Sequence, residues 1–246
     1  MKAKSRYKRI MKWSITSLLG LLFSSLLLIY IKPRFIVTWI ARHSPGVLYF
    51  VDTKARVVAL TIDDGPHPTL TPQILDVLKE NSAHATFFLI GDHIKRNEHL
   101  IETMRREGHE LGNHLAKDYP SIFLTPDQFE RELVEVDRMI NPTGPIKWFR
   151  PGSGWYSERM LSQAKAHGYR CSLGSVYPHD TIIHNTYIIS TYITMRVFPG
   201  SIIIIHCGQD ERFRVVEVLR DVLPKLRQSG YEVVTLSNLV SKQANP

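Results

Sequence analysis

The first 42 residues contain no aspartate or glutamate, although they hold nine of the chain's 31 lysines and arginines. The residues after them carry 22 basic against 23 acidic side chains, so the formal charge of +8 belongs to the N-terminus and the main body is close to neutral. That distribution removes the main support for a nucleic-acid-binding surface. Cysteine is nearly missing: Cys171 and Cys207 are the only two in 246 residues, which excludes a disulfide scaffold or a cysteine-built metal module. No internal repeat or low-complexity segment is visible, which excludes a solenoid. With 43% hydrophobic and 22% charged residues, what is left is a globular composition long enough to bury a core.

One long apolar run is present. Trp13–Ile31 runs for 19 residues without a charge, and a helix of that length rises roughly 28 Å at ~1.5 Å per residue, close to a bilayer's hydrocarbon thickness. Basic residues from Lys2 to Lys12 flank it on one side, and no small-x-small cleavage site follows it. The expectation is an uncleaved signal-anchor, with a cleaved signal peptide as second choice. The chain then divides into a cytoplasmic flank (1–12), a transmembrane helix (13–31), a stalk (32–46), an extracytoplasmic domain (47–240) and a short tail (241–246).

Past the stalk the periodicity switches repeatedly between strand and helix. Val47–Val51 and Arg56–Asp63 read as a hairpin around Asp52–Ala55. Thr71-Pro72 opens a helix carrying Ile74, Leu75 and Leu78 inward, and Thr125-Pro126-Asp127-Gln128 has the spacing of a capping box before Phe129, Leu133, Val136 and Ile140. Strands are expected at 85–90, 109–113, 146–150, 169–175, 201–206 and 231–236, and helices at 97–107, 157–167 and 213–228. Gly174–Arg196 gives no readable pattern. Counted from Arg56 there are seven strands with helices between them, which predicts an α/β fold, a distorted barrel of about seven parallel strands. In that layout Cys171 and Cys207 lie roughly 13–20 Å apart at ~3.3 Å per residue, too far for a bridge. Both are expected as free, mostly buried thiols.

In a parallel barrel the loops after the strands share one rim, where chemistry collects. Asp63 and Asp64 end one strand, His114 follows another, Arg150 ends a third, Asp180 lies in a later loop, and His206 ends the run SIIIIH. His114 and Asp118 are four apart and would share a face in a helical turn. With Asp64 they make a one-histidine, two-carboxylate set suited to a divalent metal. Asp63 could take a proton from water activated there, and His206, across the rim, could give one to a leaving group. Together these roles describe hydrolysis of an amide or ester.

These residues resemble the polysaccharide deacetylase family, the chitin- and peptidoglycan-deacetylating carbohydrate esterases, over roughly 47–240. Leu60-Thr61-Ile62-Asp63-Asp64-Gly65-Pro66 is similar to the family's first motif, and Gly108–His114 leads into the second. Phe149-Arg150-Pro151-Gly152-Ser153-Gly154-Trp155 is similar to the third, and Ile204-Ile205-His206 to the Leu-x-His motif. The resemblance implies Asp63 as catalytic base and Asp64 and His114 as metal ligands. It implies that Arg150 orients the base, that a backbone N–H such as that of Ser153 helps hold the oxyanion, and that Ile204 lines an acetyl pocket beside the general acid His206. Ser153, Gly154, Trp155 and Ile204 are the candidate substrate-binding residues.

Two departures stand out. Asp118 occupies the place of the family's second motif histidine, and Tyr177-Pro178-His179-Asp180 replaces its Asp-Trp, leaving Asp180 as candidate partner of His206. The expected partner is a polymeric N-acetylated glycan, and the expected cofactor a divalent metal, zinc first, with cobalt, nickel or manganese as alternatives. O-acetyl ester hydrolysis and non-catalytic glycan binding are the competing readings.

Overall fold

The computed structural model describes residues 34–141, 144, 147–208 and 214–243, together with Ser17, Gly20 and Leu22. The expected membrane helix at 13–31 lies outside the described residues apart from those three. Among the described residues no helix is long and apolar enough to cross a membrane. The chain divides into two compact units, residues 1–43 and 44–246. In the first, helix α1 (Arg34–Arg42) occupies most of the segment expected as a stalk.

Among the described residues the second unit is built on eight strands: β1 (Val47–Leu48), β2 (Val57–Gly65), β3 (Ala85–Leu89), β4 (Glu110–Asn113), β5 (Lys147–Phe149), β6 (Tyr169–Ser172), β7 (Ile202–His206) and β8 (Glu232–Val234). All pair in parallel in the order β1-β6-β5-β4-β3-β2-β7, with β8 against the start of β2. The apolar runs of β2 and β7 fit strands of a parallel sheet that are covered on both faces. Residue Val176, beyond β6, bridges Ile203 of β7, and Phe50, beyond β1, bridges Ser201. The far strands of the sheet thus return to β7.

Alternation along β2 sorts its side chains. Val58, Leu60 and Ile62 pack outward with Ile74, Leu78, Leu219 and Leu223 of two helices, α2 (Leu70–Glu80) and a later one, Arg214–Gln228. Val57 and Ala59 face inward beside Phe88, Trp148 and Ile202. The remaining helices, in chain order, are α3 (Gly91–Ile94), α4 (Glu98–Arg106), α5 (Pro126–Ile140), α6 (Glu158–Ala166), α7 (Thr186–Arg196), α8 (the Arg214–Gln228 helix) and α9 (Leu236–Val240). The capping box at Thr125 and Gln128 is formed, and Phe129, Leu133, Val136 and Ile140 are buried.

Four expectations are corrected. Val47–Val51 is not half of a hairpin: β1 pairs in parallel with β6, Val47 against Cys171, because its apolar residues complete the far side of the sheet. Helix α2 begins at Leu70 rather than at Thr71, whose hydroxyl lies inside the helix and accepts the His67 N–H at 2.9 Å. The unreadable stretch contains α7, capped by Asn185, whose apolar residues spread around the helix instead of forming a stripe. A two-residue strand, β1, adds an eighth to the seven expected. Cys171 and Cys207 are buried and form no disulfide, and burial pushes the Cys171 thiol up to about 12 against the opposing pull of Arg150.

Candidate active site

Strand register places the first two groups. Thr61 and Asp63 of β2 lie opposite Ile204 and His206 of β7, so all four share the inner face near the C-terminal ends of the strands. His206 is therefore Asp63's immediate neighbour and not, as expected, across the rim. Its Nε2 lies 4.0 Å from Asp63 Oδ2, and its Nδ1–H donates to Asp180 Oδ1 at 2.9 Å. Asp180 Oδ2 also accepts the His206 backbone N–H at 2.8 Å, which clamps the carboxylate along the strand end. Burial alone depresses the His206 imidazolium, but Asp180, through charge and hydrogen bond, with Asp63 and Asp64 behind it, outweighs burial and lifts it to about 9.

Adjacent residues of a regular strand point to opposite faces, so Asp63 and Asp64 could not both serve one site without a break. The break is present. The β2–β3 register shifts between Asp63 and Gly65, and Asp64 sits at φ 68°. This bulge re-aims the second carboxylate. Asp64 Oδ1 meets His114 Nε2 at 3.3 Å, and the Asp64 carbonyl accepts from His93 Nδ1–H at 2.6 Å. Gly208 closes on the same place: a Cβ there would come within 2.4 Å of Asp64 Cβ.

Arg150 holds Asp63 from the other side. Its guanidinium is fully buried over the Phe88 ring, 4.0 Å from the ring centre. Nη1 donates to Asp63 Oδ1 at 2.5 Å and to Thr61 Oγ1 at 2.8 Å, while Nε donates to the Ser172 carbonyl at 2.9 Å. Burial works against its charge, and Asp63 supports it. The Arg150 carbonyl accepts from His114 Nδ1–H at 2.8 Å, which leaves Nε2 of that ring as the electron-pair donor facing Asp64.

The structure thus brings together Asp63, Asp64, His114, Arg150, Asp180 and His206. It does not bring Asp118 to them. Residues 114–118 form no helical turn, since Leu115 takes φ 64° and the chain then bends, leaving Asp118 exposed. Among the described residues no three His, Cys, Asp or Glu side chains converge to hold a metal ion. The pair Asp64 and His114 suits a divalent cation by donor type and orientation; Asp118, as placed, supplies no third donor. Ser153, Gly154 and Trp155 lie on the exposed 3-10 turn Gly152–Gly154 and just after it, with Ser153 at φ 59°. Ile204 is buried against the backbone of Gly174. Tyr177 stands edge-on to His206, ring centres 5.6 Å apart.

Two site residues escape a reading of the sequence as separate motifs. Thr61 bridges Arg150 and the Ile203 carbonyl, to which its hydroxyl donates at 2.7 Å. Its place two residues before Asp63, on the same face of the strand, is the signal that could have identified it. His93 carries no such signal, because its role is to meet a backbone carbonyl exposed by the bulge.

Comparison with known proteins identifies the family. The family model for polysaccharide deacetylase matches residues 50–172. A peptidoglycan-N-acetylglucosamine deacetylase of Bacillus cereus is 32% identical over 202 residues, 79% of this chain and 92% of that protein. Among solved structures, a peptidoglycan N-acetylglucosamine deacetylase bound to a naphthalenyl N-hydroxybenzamide superposes with a TM-score of 0.75 at 27% identity, covering 81% of this chain and 95% of that one. A family 4 acetyl xylan esterase from Clostridium thermocellum, in complex with a cobalt ion, gives 0.69 at 29% identity, over 75% of this chain and 90% of that one. On the sequence match and the parallel α/β fold alike, the chain belongs to the polysaccharide deacetylase family.

Proposed function

We propose that the protein hydrolyses the acetamido group of N-acetylhexosamine residues in a polymeric glycan, releasing acetate and leaving a free amine. The observation that carries this reading is the position of Asp63, fixed by Arg150 on one oxygen and facing His206 with the other. The peptidoglycan deacetylases among its relatives support the substrate class. The basic flank and apolar run at 2–31 support a tethered domain acting outside the cytoplasmic membrane.

Asp63 Oδ2 accepts the proton of the attacking water. Arg150 aims that carboxylate through its hydrogen bond to the other oxygen, its fork also held by Thr61 and Ser172. His206 is the acid: Asp180 holds Nδ1–H, so Nε2 presents the proton that the leaving amine nitrogen takes as the C–N bond breaks. The 4.0 Å between Asp63 and His206 lets both groups reach the two sides of one carbonyl carbon. Ile204 lines the acyl methyl's pocket, and the Ser153 backbone N–H faces the oxyanion. Asp64 and His114 would hold a divalent cation, zinc first and cobalt, nickel or manganese as alternatives, which supplies Lewis-acid polarisation of water and acyl oxygen.

Two other readings have specific support. The acetyl xylan esterase among the similar structures favours O-acetyl ester cleavage, and the exposure of Asp118 favours a glycan binder without turnover. Acetate and free amine assayed together on peptidoglycan and chitin oligomers separate them. Equal amounts of both products support the proposal, acetate without amine supports the esterase, and tight binding with neither product supports the binder.

A further inference from the structure

Two aromatic rings beside the site are nearly bare. Phe123 is 84% exposed and Trp155 68% exposed. Phe123 ends the 3-10 turn Ser121–Phe123 in the loop after β4, and Trp155 follows the 3-10 turn Gly152–Gly154 in the loop after β5. These loops are joined at both ends. At their roots His114 donates to the Arg150 carbonyl. At their tips the two turns pack on each other so closely that a Cβ on Gly152 would come within 2.3 Å of the Tyr119 carbonyl oxygen. Phe123 and Trp155 are therefore carried by two adjoining loops that begin at a site histidine and a site arginine, and they form the exposed aromatic part of that ledge.

The chemistry of the ledge is specific. Tyr119–Leu124 and Pro151–Tyr156 contain no charged residue. Water-exposed apolar surface costs about 25 cal/mol per Å², so rings of this size left bare next to a reaction centre mark a surface that something else covers. A pyranose ring offers the complement: an uncharged face of axial C–H groups that lies flat on an aromatic ring, with hydroxyls around its edge. A single sugar seated at Asp63 would leave the ledge empty; a chain would run along it.

We propose that Phe123 and Trp155 form a stacking ledge for the pyranose rings next to the one being deacetylated, making the protein selective for polymer over short oligomers. This rests on the deacetylase reading above. Both residues determine specificity by binding and take no part in proton transfer.

The test compares the wild-type chain with Phe123→Ala and Trp155→Ala on N-acetylglucosamine oligomers from disaccharide to hexasaccharide, with acetate release as one readout and calorimetric binding of the hexasaccharide as the other. Both side chains are exposed, so the variants should keep the wild-type melting temperature. The expected result is a loss of about tenfold or more in kcat/KM on the hexasaccharide, carried by KM and equivalent to ~1.4 kcal/mol, with a much smaller loss on the disaccharide. Hexasaccharide affinity should weaken in parallel. If the wild type releases no acetate but its hexasaccharide binding depends on Phe123 and Trp155, the ledge stands and the deacetylase reading falls. Unchanged chain-length preference and unchanged binding in both variants would overturn the ledge, as would Phe123- and Trp155-dependent sedimentation with phosphatidylglycerol vesicles in place of glycan binding.

Discussion

Asp63 and His206 are register partners on neighbouring parallel strands, with Oδ2 and Nε2 4.0 Å apart at the strand ends. A base and an acid so placed are held by the backbone ladder itself, and each is steadied from behind by a charged partner, Arg150 for Asp63 and Asp180 for His206. The expectations below follow from those four groups and from the bulge beside them.

Under the proposed mechanism the protonated form of His206 is the acid, and its imidazolium is lifted to about 9. Activity should therefore hold on the acid side of that value and fall as pH rises through it. Because the folded value lies above the ordinary 6.5, the group also contributes stability that is full below 6.5 and is lost as pH rises through about 9. In Asp180→Asn the alkaline limb of kcat/KM should move down by about one unit or more, since a neighbouring charge is removed. A pH–rate profile of both proteins checks this; an unmoved limb would separate Asp180 from the acid.

Arg150 makes its bonds through a planar fork, to Asp63, Thr61 and Ser172 at once. Lysine cannot reproduce that geometry. Arg150→Lys should lower kcat/KM by about a hundredfold, ~2.7 kcal/mol, while circular dichroism shows a folded protein. Arg150→Met, which strips the buried Asp63 of its hydrogen-bonded guanidinium, should in addition destabilise the fold by about 3–5 kcal/mol in denaturant titration.

Asp64 and His114 face each other, whereas Asp118 is exposed on a bend. Elemental analysis after dialysis against zinc should find His114→Ala depleted of metal and Asp118→Ala loaded like wild type. Depletion in Asp118→Ala would mean that the 114–118 loop refolds around the ion.

Gly208, just past the end of β7, presses on Asp64. Gly208→Ala places a methyl group inside contact distance of the bulge, so it should cost about 1–3 kcal/mol of stability. It should also reduce acetate release more than a surface substitution of equal destabilisation does. Thermal melting and activity measured side by side test whether this close approach holds Asp64 in place.

Much of this was legible in the chain. The strand at Ser201–His206 is a run of isoleucines that has no other use than burial in a parallel sheet, and the capping box at Thr125 marks α5 to the residue. Asp63, His114, Arg150, Asp180 and His206 could be collected on one rim because each follows or ends such a strand. What could not be read depends on backbone geometry or on long-range pairing. The pairing of β1 with β6 joins Val47 to Cys171, far along the chain, and leaves no local trace, so Val47–Val51 reads as a hairpin arm. The bulge at Asp64 has no marker other than two adjacent carboxylates. Helix α7 buries Ile189 and Ile193 but exposes Tyr187 and Met195, which erases its period. Asp118 stands at helical spacing from His114 in the sequence, and the positive φ of Leu115 breaks that spacing.

The most direct test of the account is the product stoichiometry of the wild-type chain and Asp63→Asn on an N-acetylated glycan with added zinc. The account predicts equal acetate and free amine from the wild type, and a loss of at least about a hundredfold in both from Asp63→Asn with glycan affinity retained. Undiminished release by Asp63→Asn would contradict it.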